Sequence, residues 1–241
     1  MLSLVAVVRH GESEGNVANG APDVEVPAAF WPRHAGTWRL TDRGLQQARA
    51  LGATLLASQL LPFTFHCVST MTRALETAVH LGLPEARWRF EPALAERAWG
   101  PELRVLDAQQ RTRWLDAARA ELDADPWGWA PPGGENLAGV QARVRALLYS
   151  LGAECPGGSA LLVTHGEVIS TLRAHLEGVA DGGLPPGPTP TGVLLYRWKD
   201  NGWWSAELDP ADAAVRWRPL CPAKDAEMLD GEVRRHERHV R

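Results

Sequence analysis

Cysteine is scarce in this chain: Cys67, Cys155 and Cys221 are the three in 241 residues. They lie far apart, are odd in number and show no C-x-x-C spacing, which excludes a disulfide framework and a zinc or redox site of that kind. They read as reduced packing residues. No stretch reaches the roughly 18 apolar residues of a membrane helix. No block of about five like charges occurs either, and the net charge is only −4, so nothing marks a nucleic-acid or anionic-membrane surface. The apolar start, Met1 to Val8, lacks a basic flank and a small-residue cleavage site. These absences predict a cytoplasmic protein with no nucleic-acid and no membrane partner. What is present is a globular composition, 45% hydrophobic and 22% charged, in a chain long enough to bury about 70–75% of its unfolded surface without staples. Tryptophan, with eleven copies, is unusually frequent.

Strands and helices alternate. Residues 2–8 are a continuous aliphatic run ending at Arg9-His10-Gly11, the pattern of a strand covered on both faces of a parallel sheet. After a Pro/Gly-rich loop, Thr41 stands where an N-cap belongs, ahead of Leu45, Ala48, Leu51, Leu55 and Leu56 at helical spacing. Residues 63–69 read as a strand, and residues 71–81 as a helix stopped by Gly82 and Pro84. A short strand at 88–90 and a long helix over 102–123 follow. Residues 127–134, with two tryptophans among glycine and proline, predict a loop that covers the site as a lid. Asn136 is placed to cap a helix whose stripe is Leu137, Val140, Val144, Leu147, Leu148 and Leu151. Residues 159–164 read as a second buried strand, 167–177 as a helix closed by Gly178, and 192–198 with 203–207 as a hairpin. The charged end, 225–241, reads as a solvated helix or tail. This pattern predicts an α/β three-layer sandwich, a mostly parallel central sheet with helices on both faces.

In such sheets ligands bind at the carboxyl ends of strands. Those ends carry Arg9-His10-Gly11-Glu12-Ser13, Thr72-Arg73 and His165-Gly166-Glu167. Two imidazoles and two guanidiniums at one edge suit a phosphate ester, because arginine forks hold phosphate oxygens and phosphoryl transfer needs mainly positioning and charge neutralisation. The neighbouring cations also disfavour imidazolium, leaving a nitrogen free to attack phosphorus.

These segments resemble a known family. Arg9-His10-Gly11-Glu12-Ser13-Glu14-Gly15-Asn16 resembles the R-H-G-E-S-x-x-N signature of the histidine phosphatase superfamily, the phosphoglycerate mutase-like family. Leu40-Thr41-Asp42-Arg43-Gly44 with Gln47-Ala48 is similar to its L-T-x-x-G-x-x-Q-A helix, and Ser69 to Ala74 with Thr77-Ala78 to its S-x-x-x-R-A-x-x-T-A segment. Leu94-Ala95-Glu96-Arg97 with Gly100 resembles its acid-bearing loop, Gly134-Glu135-Asn136 its G-E-S element, and Val163-Thr164-His165-Gly166 its second histidine strand. The resemblance spans about residues 4–175. It implies a single catalytic domain over 1–241, with a core of about 1–207, a lid-like insertion of about 99–135 and an extension of about 208–241. It also implies that His10 is phosphorylated, that Arg9, Arg73 and His165 hold the phosphoryl group, and that Glu96 is the acid and then the base. Ser13, Asn16, Gly166, Arg97 and Glu135 become expected phosphate or substrate contacts, with Ser13 also able to cap the next turn. No cofactor and no metal are implied.

The reaction expected is hydrolysis of a small phosphorylated metabolite. Alternatives are a cofactor-dependent mutase, whose signature R-H-G-E-S-x-W-N differs here by Gly15, and a non-catalytic phospho-ligand-binding member of the fold. Two readings from outside the family carry less. Gly11-x-Ser13-x-Gly15 fits a nucleophile elbow, but too little chain precedes Ser13 for that fold; a metal on His10, Glu12, His165 and Glu167 would be opposed by the arginines. Arg104, Arg111 and Arg113 on the long helix read as solvated, and tryptophans 31, 38, 99, 127 and 129 as loop packing or pocket wall. A homodimer is left open.

Overall fold

The aliphatic run after Met1 forms a strand because both of its faces find partners: Leu4, Ala6 and Val8 enter one core cluster, Val5 and Val7 another. The computed structural model describes residues 1–20, 27, 29–31, 33–101, 106, 108–179, 192–200, 202–210 and 215–220. In chain order the elements are β1 (Leu4–Arg9), α1 (Glu14–Gly20), a 3-10 turn (Ala35–Thr37), α2 (Asp42–Ala57), β2 (Phe65–Val68), α3 (Thr72–His80), β3 (Trp88–Phe90), a second 3-10 turn (Pro92–Leu94), α4 (Ala108–Ala124), α5 (Leu137–Glu154), β4 (Ser159–Thr164), α6 (Gly166–Leu176), β5 (Val193–Lys199), β6 (Gly202–Leu208) and β7 (Arg218–Pro219).

One seven-stranded sheet runs β3-β2-β4-β1-β5-β6-β7. The first four strands of the chain pair in parallel, and β5, β6 and β7 complete the sheet antiparallel. The α/β layering expected from the sequence is therefore present, with the parallel half at the centre and one edge. On one face Leu51 and Leu55 of α2 and Ala74 and Ala78 of α3 pack on Val8, Val68 and Val163. On the other, Val140, Val144 and Leu151 of α5 and Val168, Ile169 and Leu172 of α6 pack on Val7, Cys67 and Leu162. Burying each such side chain fully is worth about 1.5–3 kcal/mol, which makes these two apolar layers the main hold on the sheet.

Local signals behave as expected at several ends. Thr41 Oγ1 accepts from Gly44 N at 3.1 Å, and Asn136 Oδ1 from Gly139 N at 2.7 Å. Gly82 and Gly178, just beyond α3 and α6, have φ of 62° and 65°, the left-handed conformation that a helix stop requires. Trp198 and Trp203 meet edge-on across the expected hairpin of β5 and β6. Two readings change. The loop after β1 contains the helix α1. The long helix begins at Ala108; residues 102–105 and 107 lie outside the described residues, as do the proline-rich connection at 184–190, Cys221 and the tail at 225–241.

Candidate active site

The register of β1 against β4 assembles the site. Arg9 pairs with Thr164, and His10 N donates to Thr164 O at 2.9 Å, so the next residue of each strand is a histidine and the two are neighbours. Their ring centroids are 5.0 Å apart. Two segments 155 positions apart thus meet through main-chain pairing alone.

His10 is held in one tautomer. Its Nδ1 lies 2.7 Å from the Gly11 carbonyl, an acceptor, so Nδ1 carries the proton; its Nε2 accepts from Arg73 Nε at 3.1 Å. Burial lowers its pKa from 6.5 to about 3, with Arg73 next in effect. Neighbouring cations were expected to suppress imidazolium; the loss of water around the ring does more. His165 is fully buried, its Nε2 meets the Ser69 hydroxyl at 2.7 Å, and its Nδ1 has no partner among the described residues. Burial and then Arg73 hold its pKa well below the usual range. Such a buried, unpaired ring nitrogen is costly unless something fills its hydrogen bond.

Arg73, at the start of α3, is anchored from three sides: Nε on His10, one terminal nitrogen on Ala35 O at 2.7 Å and the other on the Met71 sulfur at 3.2 Å. Arg9 is different. It is only half-buried, and among the described residues no hydrogen bond or ion pair engages its guanidinium. Gly166 opens α6, so its N–H belongs to the exposed amide ring of a helix N-terminus, which attracts anions.

Glu96 closes the opposite side. Its carboxylate accepts from the Arg97 amide at 3.1 Å, and the Glu167 amide at the start of α6 is near enough to draw its pKa down. Burial, and then the charge of Glu167, raise its pKa from 4.5 to about 7. A carboxyl that keeps its proton near neutral pH can act as an acid there.

Four of the expected contacts are placed otherwise. Ser13 donates its hydroxyl to Asn16 Oδ1 at 2.8 Å and its amide to the same oxygen at 3.0 Å, while Asn16 itself is exposed, so this pair closes the first turn of α1. Arg97 is buried and committed: Nε to Glu135 O at 2.7 Å, one nitrogen to Glu167 Oε1 at 3.2 Å, the other to Trp129 O at 2.9 Å. Its guanidinium also stacks over Trp99 and Trp129, 4.6 and 5.5 Å from the ring centroids. Glu135 is held in bidentate fashion by Arg143, at 2.9 and 3.0 Å. Arg97 and Glu135 therefore brace the loop at 127–135 against the Glu96 segment, and their charges are satisfied by protein.

Two residues were underrated. Arg111, read as solvated, is half-buried and stacks over Trp31 at 4.5 Å, docking α4 on the segment that carries Ala35. Glu167 accepts from Arg97 and from the Trp99 indole at 3.0 Å. The signal for it was available: the turn His165-Gly166-Glu167 repeats His10-Gly11-Glu12.

A site with, among the described residues, one cation that has no partner, an anchored second one, an unpaired imidazole nitrogen and a helix N-terminus can hold a phosphate-sized anion against a neutral nucleophilic imidazole. That combination on an α/β sheet defines a phosphoryl-binding class. Its family is settled by comparison: residues 5–209 match the model of the histidine phosphatase superfamily (branch 1), and the chain belongs to it. Among curated proteins it is 32% identical over 206 residues to the 2,3-bisphosphoglycerate-dependent phosphoglycerate mutase of Methylobacterium radiotolerans, covering 82% of this chain and 90% of that one. It is 29% identical over 205 residues to the protein of the same name from Beijerinckia indica, covering 82% and 93%. Among solved structures, Bacillus stearothermophilus YhfR is 26% identical with a TM-score of 0.64, covering 83% of this chain and 93% of that one. A mycobacterial glucosyl-3-phosphoglycerate phosphatase in complex with VO3 is 25% identical, also with a TM-score of 0.64, covering 90% and 96%.

Proposed function

We propose that this protein is a phosphomonoester hydrolase that works through a phosphohistidine on His10. The observation that carries the reading is the tautomer of His10: a neutral ring whose protonated Nδ1 faces the Gly11 carbonyl, and whose Nε2 lone pair faces the guanidinium of Arg73. An entering phosphate takes over that N–H. Nε2 then attacks phosphorus in line, Arg9, Arg73, the Gly166 amide and His165 Nδ1 bind the equatorial oxygens, and Glu96 gives its proton to the leaving oxygen. In the second step Glu96 takes a proton from water, which attacks the phosphohistidine and releases inorganic phosphate. The arginines supply the neutralising charge, so the reading uses no metal. Its substrate is a small phosphorylated metabolite and its setting the cytoplasm. Hydrolysis is favoured by the phosphatase neighbour with VO3 and by Gly15 in place of the mutase tryptophan.

The mutase names of the curated relatives favour a second reading, in which a substrate hydroxyl rather than water collects the phosphoryl group. One experiment separates the two. Hydrolysis of p-nitrophenyl phosphate in EDTA is followed from pH 5 to 8 for the wild type and His10→Ala, beside interconversion of phosphoglycerates primed with 2,3-bisphosphoglycerate. The hydrolase reading expects metal-independent release of phosphate that His10→Ala abolishes. Activity surviving in His10→Ala refutes the phosphohistidine, and rapid interconversion with negligible hydrolysis transfers the assignment to a mutase.

A further inference from the structure

Glu96 does not stand alone. Its carboxylate accepts from the Arg97 amide at 3.1 Å, the Arg97 guanidinium reaches Glu167 Oε1 at 3.2 Å, and the Glu167 carboxylate and amide both act electrostatically on Glu96. The Trp99 indole fixes the other Glu167 oxygen at 3.0 Å. Arg97 is the cation that joins the two segments, yet its fork is spent on Glu167, Glu135 O and Trp129 O, and its guanidinium lies against the rings of Trp99 and Trp129. It fixes Glu167, and among the described residues Glu96 has no ion-pair partner.

From this arrangement we infer that Glu167 is a positioning residue, a second carboxylate clamped by Arg97 and Trp99 so that its fixed negative charge keeps the neighbouring Glu96 carboxyl supplied with the proton a leaving oxygen needs. The inference deepens the hydrolase reading and rests on it. Two carboxylates in one partly dry site cannot both ionise freely, so the pair retains a proton well above the ordinary carboxylate range. Every charged group around the pair enters the balance. Arg73 from α3 and the two backbone amides draw Glu96 down, while burial and Glu167 push it up, to about 7. Burial likewise raises Glu167, opposed by Arg97 and the Trp99 indole and reinforced by Glu135. His10 and His165 are neutral and add no charge. The clamp decides the roles: Glu167 keeps its place on Arg97 and Trp99, and the proton is left on the carboxyl that has no cation of its own.

The test uses Glu167→Gln, which keeps an acceptor for Trp99 but removes the charge and frees Arg97, with Glu167→Asp as the charge-retaining control and Glu96→Gln as the reference. Two readouts are taken. The first is the infrared band of the protonated carboxyl, titrated from pH 5 to 9 and assigned to Glu96 by its loss in Glu96→Gln. The second is the pH profile of kcat/KM for an alkyl phosphate, whose leaving oxygen needs the acid, against p-nitrophenyl phosphate, whose leaving group does not. In Glu167→Gln the Glu96 band titrates at lower pH than in the wild type. For the alkyl substrate, kcat/KM falls about fivefold at pH 8 and hardly at pH 5.5, while p-nitrophenyl phosphate is little affected and Glu167→Asp stays near the wild type. An unshifted Glu96 band overturns the inference, as does an equal loss at every pH, the mark of a structural role alone. If no variant and no wild type turns over any phosphate, the hydrolase reading fails, and the infrared titration still decides whether Glu167 governs Glu96.

Discussion

Replacing His10 by asparagine removes an imidazole that the fold keeps neutral, and the consequence for stability depends on pH in a direction fixed by the structure. The folded pKa is lowered from 6.5 to about 3 by burial first and Arg73 second. Below pH 6.5 the unfolded chain therefore takes up a proton that the folded chain refuses, so stability falls as pH falls, until the folded value is reached near pH 3. The limiting slope is about 1.36 kcal/mol per pH unit. Between pH 7.5 and 5.5 this one ring accounts for a loss of about 1.4 kcal/mol, given an unfolded pKa of about 6.5. Glu96 works the other way: its raised pKa favours the folded state as pH drops through 7, but it is present in both proteins and largely cancels in the comparison. Urea unfolding of wild type and His10→Asn at the two pH values measures the effect. The variant is expected to gain about 1.4 kcal/mol on the wild type at pH 5.5 relative to their difference at pH 7.5. A difference constant within about 0.3 kcal/mol would refute a buried neutral His10, and a change of opposite sign would mean that the pocket stabilises imidazolium.

Two further predictions concern glycines at close approaches. At Gly52 of α2 an added Cβ would lie 1.9 Å from the Leu81 carbonyl oxygen, backbone that cannot rotate away, so Gly52→Ala destabilises by about 2 kcal/mol or more in urea titration; a cost under about 0.5 kcal/mol would contradict the helix contact. At Gly15 the Cβ would lie 2.1 Å from Trp38 Cε3, so Gly15→Ala costs about 1–3 kcal/mol in the wild-type background and much less with Trp38→Leu. Additive single and double variants would show that the indole does not fill that space.

The sheet and its helices were legible because their signals are local: an aliphatic run covered on both faces, an N-cap threonine or asparagine, a glycine past a helix end. The two histidines were legible for the same reason, since each follows a strand and parallel strands end together. What escaped reading is non-local. The helix α1 has the sequence Glu-Gly-Asn-Val-Ala-Asn-Gly, poor in helix formers, and is held by tertiary contacts: the Ser13–Asn16 cap and the Arg33 fork on Glu14 at 2.8 and 3.2 Å. Arg111 looked solvated because polar neighbours on α4 surround it, and the rings it stacks on lie some seventy to eighty positions earlier in the chain. The family motifs marked Arg97 and Glu135 as site residues but could not say that each has its charge consumed by another part of the protein.

Gly15 shows how a departure at one position is absorbed by another. Where the mutase signature has a tryptophan, this chain has none, yet the direction a side chain would take from position 15 is occupied by the ring of Trp38. That ring stacks on Phe30 at 5.1 Å and, with Ala18 and Trp31, forms a separate small core against which Ala35 packs. The Ala35 carbonyl in turn accepts from Arg73, and Arg73 donates to His10 Nε2. Glycine at 15 is thus the condition for seating Trp38. The seat fixes the segment that aims Arg73, so a substitution at position 15 is expected to reach His10 through four packed or hydrogen-bonded steps rather than through any contact of its own.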